Sequence, residues 1–292
     1  LTFVKEYNGT PTLYRQTDYE YVTNTSAAVW ILGTLSRQTL KDALGVTLSK
    51  REYGYNGNLP GVGSPTTNKP DLARIVDGTQ TIDTKFVFDT YGNVTETRAY
   101  KNYGATGSQP AGTYLSYTNV YDTALKTYPT SKTTPIIPAT TIGYNFGLGL
   151  PTTVTDPNGN PTTMAYDGLG RVTSVTYAGF GSPNLKYTYP TVPVSAPFAV
   201  KVEVWDQPAS VYRSAWQMMD GLGRAIQSQG PYETAGVLVL TDTLYNAQGL
   251  TLYQGLPRTY TGAGGSHFAP SWGSVPHTTS VYDALGRTTS MT

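Results

Sequence analysis

His267 and His277 are the only two histidines of this 292-residue sequence, and both stand in a stretch rich in Gly, Pro and Ser. A histidine general base needs a nucleophile or an orienting carboxylate to work with, and neither motif accompanies them. They read as solvated loop residues. No Gly-x-Ser-x-Gly elbow presents a serine nucleophile. The Gly-rich pieces Gly262 to Gly265 and Gly143 to Gly149 lack the Lys and the strand-to-helix setting of a phosphate-binding loop. Cysteine is absent, which removes disulfides, zinc-thiolate sites and thiol nucleophiles together. The expectation is therefore no catalytic residue, no metal and no cofactor, in a chain that is not an enzyme.

Charge excludes further classes. Lys plus Arg total 20 against 19 for Asp plus Glu, so the chain has no net field to draw in a nucleic-acid backbone or an anionic membrane. No run approaches the roughly 20 apolar residues of a membrane-spanning helix. The start at Leu1, without the basic and apolar regions of a signal peptide, reads as a processed end or a window cut from something longer. Charged residues supply only 13% of the sequence while Tyr supplies 24 positions, so Thr, Ser, Asn, Gln, Gly and Tyr must cover the surface. That bias suits strands, where β-branched and aromatic side chains pack on a pleated face.

What such strands must position is a recurring phrase: an aromatic or apolar residue, Asp or Asn, two residues, Gly, then often Arg or Asn. Its clearest copies are Tyr166-Asp167 to Gly170-Arg171, Met219-Asp220 to Gly223-Arg224 and Tyr282-Asp283 to Gly286-Arg287. Looser ones are Asp42 to Gly45, Asp89 to Gly92, Asp156 to Gly159 and Asn246 to Gly249. Asp or Asn at the first turn position accepts hydrogen bonds from amides two residues on, and Gly at the fourth tolerates positive φ. The phrase thus reads as strand, tight turn and returning strand, with the Arg reaching a carboxylate of this hairpin or a neighbouring one. After Gly170, Val172, Ser174 and Thr176 alternate with Thr173, Val175 and Tyr177, the period of a half-buried strand.

The copies begin 11 to 67 residues apart, so hairpins of one kind are separated by insertions of variable length. Residues 56–70, 104–112, 129–139, 179–183 and 261–276 are dense in Gly, Pro, Ser or Asn and read as surface loops. Thr25 to Leu44 reads as strand, turn at Gly33, strand. Asp71 to Val76, after Pro70, has room for one helical turn at most. No linker divides the chain, which reads over residues 1–292 as one β-sheet unit, residues 1–40 by pattern alone. The first strand, Leu1 to Tyr7, and the last, ending at Thr292, each expose a sheet edge with little charge to blunt it.

The copies resemble the YD repeats of the Rhs family, which also occur in bacterial Tc-toxin components and in the teneurins of animal cell surfaces. YDGLGRVTSVTY and TDPNGNPTTMAYDGLGR carry that resemblance most fully. It implies an all-β fold of consecutive antiparallel hairpins forming a continuous sheet that spirals into a shell or barrel, with inserted loops and Tyr rows on its face. It also implies an extracellular or cell-surface location in a bacterium, and partners that are neighbouring repeats in cis, other copies through sheet edges, or an encapsulated polypeptide. Some complete Rhs proteins carry two spaced Asp-Pro-x-Gly phrases tied to self-cleavage. Here Asp156-Pro157 is the single Asp-Pro, and because an aspartyl pair needs two carboxylates at one site, Asp156 reads as a turn residue. The function expected is a structural shell, scaffold or fibre segment. Two alternatives stand beside it: the shell segment of a polymorphic toxin, and a glycan-binding module in which Trp30, Trp205, Trp216 and Trp272 stack on sugar rings.

Overall fold

The computed structural model describes residues 3–7, 9, 12–26, 28–190 and 196–292. Among these, every regular element is a strand. In chain order they are β1 (Phe3–Tyr7), β2 (Leu13–Ser26), β3 (Val29–Asp42), β4 (Thr47–Gly54), β5 (Leu72–Asp77), β6 (Gln80–Phe88), β7 (Val94–Tyr100), β8 (Gly104–Ala105), β9 (Tyr114–Tyr121), β10 (Pro129–Thr133), β11 (Thr140–Asn145) and β12 (Leu150–Thr155). There follow β13 (Pro161–Tyr166), β14 (Val172–Thr176), β15 (Leu185–Thr188), β16 (Phe198–Asp206), β17 (Val211–Met219), β18 (Ala225–Pro231), β19 (Val237–Tyr245), β20 (Thr251–Gly255), β21 (Arg258–Thr261), β22 (His277–Tyr282) and β23 (Thr288–Met291). The fold is all-β, and its strands pair antiparallel with their chain neighbours as consecutive hairpins.

Packing divides the chain into two compact units, Leu1–Tyr144 with Thr155–Gly159, and Asn145–Val154 with Asn160–Thr292. In the first, the ladder runs β1 to β7 in chain order, then β9, β10 and β11, with β8 added to β6. In the second it runs from β13 to β19 and forks there. One end of β19 takes β21, the other takes β20, which continues through β22 to β23.

Period-2 alternation decides what each ladder buries. Along β19, Leu238, Leu240 and Asp242 are buried while Val237, Val239 and Thr241 are half-buried. Among the described residues the buried apolar side chains are few: Tyr55, Pro65 and Leu72 in the first unit, Met218, Leu238 and Leu240 in the second. Polar side chains share those inward positions, so hydrogen bonding has to satisfy what apolar packing does not.

Three local expectations are corrected. Gly33 is not a turn, because β3 runs straight through it. Val22 pairs with Thr34 and Asn24 with Ile31, so β3 carries one extra residue there, a bulge in which a side-chain-free position is tolerated. Residues 129–133, read as loop, form β10 between β9 and β11, because Thr and Ser flanked by paired strands complete a ladder despite the neighbouring prolines. Asp71 to Val76, read as room for one helical turn at most, falls from Leu72 onward in β5, whose β-branched Ile75 and Val76 pair with β4 and β6. Of the first-strand expectation, Leu1 and Thr2 lie outside the described residues.

Candidate functional site

The seven Asp-x-x-Gly and Asn-x-x-Gly phrases share one geometry. Gly45, Gly92, Gly159, Gly170, Gly223, Gly249 and Gly286 have φ between +75° and +84°. At Asp167, the Gly170 amide donates to the Asp167 carbonyl (3.0 Å) and the Asp167 amide to the Arg171 carbonyl (2.9 Å). Asp167 Oδ1 accepts from the amides of Leu169 and Arg171, both at 2.9 Å. The same two side-chain bonds recur at Asp42, Asp89, Asp220, Asn246 and Asp283. Asp156 accepts from the Asn158 amide at 2.9 Å. The ladder slips by one residue beside Tyr166, Met219, Tyr245 and Tyr282. A tight turn, a left-handed glycine and a one-residue slip are the parts of a three-residue hairpin loop closed by a bulge.

The second carboxylate oxygen closes on the residue after the glycine. Arg171, Arg224 and Arg287 each donate Nε to Oδ2 of their own turn aspartate at 2.6 to 2.7 Å, and Asn93 donates Nδ2 to Oδ2 of Asp89 at 2.9 Å. The amide of that following residue, with its Arg side chain, holds the carboxyls of Asp167, Asp220 and Asp283 below their ordinary pKa. The guanidinium faces also stack: Arg171 lies 4.3 Å from the Tyr189 ring centroid and Arg224 4.6 Å from that of Tyr245.

Where a tyrosine stands directly ahead of one of these turns or of the reversals after Tyr121 and Tyr144, it reaches backwards. Tyr121, Tyr144, Tyr166, Tyr245 and Tyr282 donate their hydroxyls to the carbonyls of Val94, Pro129, Pro151, Ala225 and Thr251 at 2.7 to 3.3 Å. Each acceptor lies at the start of an earlier strand that leaves a turn.

Two of these tyrosines mark reversals that do not carry the phrase. After Tyr121, Asp122 accepts from the amides of Ala124, Leu125, Lys126, Thr127 and Tyr128, and the left-handed residue is Lys126 at φ 55°, one position beyond the place of glycine in the phrase. Burial pushes the Asp122 carboxyl up, and the amides outweigh it and hold it well below the usual range. After Tyr144, Asn145 accepts from Gly147 and Leu148, and Gly149 closes the turn one position late. The signal that finds both is the Tyr-Asx pair, without the glycine.

Away from the turns, each unit holds a buried polar cluster beneath a Gly-rich loop. In the first, Arg74 on β5 faces Asp83 on β6, Nε to Oδ1 at 3.0 Å and Nη2 to Oδ2 at 3.2 Å, with both side chains 1% exposed. Thr81 donates to Asp83, and Arg74 also donates to the Ser108 carbonyl of loop 106–113. In the second, Arg258 on β21 donates to Asp242 (2.8 Å) and to the Phe268 carbonyl (2.7 Å). Gln227 donates to Asp242 and Phe268, and Gln229 donates to Gln227 and Ser266 while accepting from the Gly265 amide.

The four tryptophans are not brought together. Trp30 on β3 is 70% exposed. Trp205 packs edge-on against Tyr212 at 4.9 Å and donates to Gln207. Trp216 on β17 lies against Gly264 and Gly265, whose lack of a side chain makes room for its ring. Trp272 sits 5.2 Å from Tyr253 and 5.3 Å from His277. His277, expected as a solvated loop residue, instead begins β22, half-buried against Tyr253 (4.4 Å), with Nδ1 bonded to the Val275 carbonyl at 2.7 Å. Its imidazole is an aromatic packing surface. Among the described residues no three His, Asp or Glu side chains stand close enough to hold a metal ion.

Residues 144–179, from Tyr144 through the turns at Asn145, Asp156 and Asp167, match the family model RHS Repeat. Among curated proteins no match is found. The fold is similar to the crystal structure of TcdB2-TccC3-TEV (TM-score 0.69, 12% identity over 95% of this chain and 21% of that one). It is also similar to those of TcdB2-TccC3-Cdc42 (0.58, 13%, over 94% and 21%) and TcdB2-TccC3 (0.55, 14%, over 94% and 19%). The chain thus spans about a fifth of those proteins' length. At these identities the likeness is one of fold, a ladder of consecutive antiparallel hairpins.

Proposed function

We propose that the chain is a structural segment of YD repeats, part of an extracellular β-shell, scaffold or fibre, without chemistry of its own. One observation carries this reading: the polar groups of the repeated phrase are engaged in holding the chain to itself. Each turn carboxylate accepts from its own turn's amides, the arginine of Asp167, Asp220 and Asp283 closes on that carboxylate, and five tyrosine hydroxyls anchor earlier strands. The RHS Repeat match and the fold likeness support it. On this reading Asp42, Asp89, Asp156, Asp167, Asp220, Asn246 and Asp283 with their glycines are structural residues, the location is outside the cell or on its surface, and the partners are further repeats in cis or other copies at sheet edges. Enclosing a polypeptide is the form this role takes if the segment belongs to a polymorphic toxin.

A second reading, adhesion to glycans through exposed aromatics, draws on Trp30, which leaves its ring to solvent beside exposed Leu32. Melting curves separate the two. Gly223→Val forces a β-branched residue to φ +75°, and a structural repeat loses about 1 kcal/mol or more, while Ser64→Ala in a loop loses nothing measurable. Equal melting temperatures for the two variants overturn the structural reading. Retention on a glycan array that Trp30→Ala abolishes establishes the second.

A further inference from the structure

Asparagine followed by glycine is the pair in which a main chain most readily attacks its own side chain, because glycine places no Cβ beside its amide nitrogen. The sequence has three such pairs, at Asn8, Asn56 and Asn158. Asn8 lies outside the described residues. The other two stand in turns, and what surrounds them differs.

In the first unit, Asn56 and Gly57 take left-handed φ of 55° and 76° in a turn that the Asn58 amide closes on the Tyr55 carbonyl at 3.0 Å. Three groups from farther along the chain meet this pair. The Gly57 amide donates to Oδ2 of Asp71. The Thr66 hydroxyl donates to the side-chain oxygen of Asn56 at 2.9 Å, and the Asn56 side-chain nitrogen donates to the Ser64 carbonyl at 3.3 Å. Asp71 is itself held by its main chain, its amide donating to Gly54 at 3.0 Å and its carbonyl accepting from Phe86 at 2.9 Å. Its second oxygen, Oδ1, is shut from water and, among the described residues, is the one buried side-chain polar atom without a hydrogen-bond partner. An orphan of that kind asks for an explanation, and a part in proton transfer is one. At Asn158 the Gly159 amide donates instead to the Asp156 carbonyl at 3.0 Å, which accepts a hydrogen bond but is no base.

We infer that Asn56 is a self-modification site, at which Asp71 and Thr66 promote closure of the asparagine on the Gly57 nitrogen. Asp71 Oδ2 takes the Gly57 amide proton, and the freed nitrogen forms a bond to Cγ of Asn56. The electron pair of the side-chain carbonyl moves onto its oxygen, where the Thr66 hydroxyl already points. On collapse the bond from Cγ to Nδ2 breaks, Asp71 returns the proton, and ammonia leaves a five-membered succinimide. Water then opens either ring carbonyl, giving aspartate or isoaspartate at position 56. The new carboxylate stands beside Asp71, so a hydrogen-bonded pair becomes a pair of like charges and the 56–70 loop loosens. The change occurs once in each chain and turns over no substrate, so it goes beyond the structural reading without replacing it.

The test incubates the folded chain at neutral pH and maps its peptides by mass spectrometry, reading aspartate and isoaspartate at positions 56 and 158 over time. The same chain in urea supplies the reference, where only local sequence sets the two rates. Relative to that reference, Asn56 converts at least about tenfold faster than Asn158, the low end of what a placed proton acceptor supplies. Asp71→Asn keeps an acceptor oxygen for the Gly57 amide and loses the base, and slows Asn56 by at least about tenfold. Thr66→Val, at an exposed position whose loss leaves the fold intact, slows it by a similar factor. If these hydrogen bonds clamp the asparagine instead of activating it, the folded chain protects Asn56 and both variants convert faster. Conversion of Asn56 no faster than Asn158, or a rate in either variant equal to or above the parent's, overturns the inference. None of these rates bears on the Gly223→Val melt, so the repeat reading and the self-modification fail separately.

Discussion

The two units cover a buried arginine–aspartate pair in different ways. In the first, Arg74 and Asp83 sit directly opposite on β5 and β6, meet through two parallel hydrogen bonds, and are shut from water, with the overlying loop giving one carbonyl from Ser108. In the second, Asp242 is fully buried while Arg258 is a quarter exposed, and two glutamines extend the pair into the loop through Phe268, Ser266 and Gly265. A short covering segment needs one anchor. A long one carries more backbone polar groups under cover, each needing a partner, and the amides of Gln227 and Gln229 supply both donors and acceptors where a charge supplies only one kind. Loop length therefore sets whether charge or amide does the fastening.

The largest effect that would break this comparison comes from removing one carboxylate at a time. Asp83→Ala leaves Arg74 charged and dry with a single carbonyl, and should cost about 3–5 kcal/mol in urea unfolding. Asp242→Ala leaves Arg258 within reach of water and bonded to Phe268, and should cost about half as much. Equal costs would mean that burial of the arginine does not decide the penalty.

Closer to the loops, Gly104 and Gly264 test the fit. A methyl group on Gly104 would stand 2.5 Å from Thr81 Oγ1 and 2.7 Å from Asp83 Oδ2, and one on Gly264 would enter the Trp216 ring. Gly104→Ala and Gly264→Ala are each expected to cost about 1–3 kcal/mol by overpacking. Limited proteolysis should then cut within residues 106–113 or 262–276 before the rest of the chain. Cleavage spread evenly along either variant would show that the loops are not fastened separately.

A smaller effect concerns acid. The folded-state pKa of Asp122 is depressed, so its contribution is present in full above the unfolded value of about 3.9 and is lost as pH falls below it. Asn keeps one acceptor oxygen for the amides, as Asn145 and Asn246 do at their own turns. Asp122→Asn should therefore melt lower than the parent at pH 6 and narrow the gap at pH 3. A gap independent of pH would assign the effect to lost hydrogen bonds alone.

The hairpins were legible because aspartate and glycine at fixed offsets mark a reversal by local chemistry. Where local chemistry was different, legibility failed. Lys126 adopts the left-handed conformation that glycine adopts elsewhere, and Asn145 closes its turn one residue late, so neither fits a phrase built on glycine at the fourth position. Gly33 carried the opposite error, a glycine that marks a bulge and not a turn. The buried clusters were hidden for another reason. Period-2 alternation puts Asp242 on the face of Leu238 and Leu240, but says nothing of a loop folding back over it. Contacts such as Gln229 to Ser266 span 37 residues and leave no trace in spacing.

The tyrosine anchors have a consequence for how such a chain changes over generations. Every acceptor is a main-chain carbonyl, and it belongs in turn to valine, proline, alanine and threonine. A newly inserted hairpin needs only its own tyrosine to fasten itself, and asks no particular side chain of the hairpin before it. Duplication, deletion and exchange of repeats can then proceed without matching substitutions in the neighbour, and the length of the sheet becomes a quantity that recombination is free to vary.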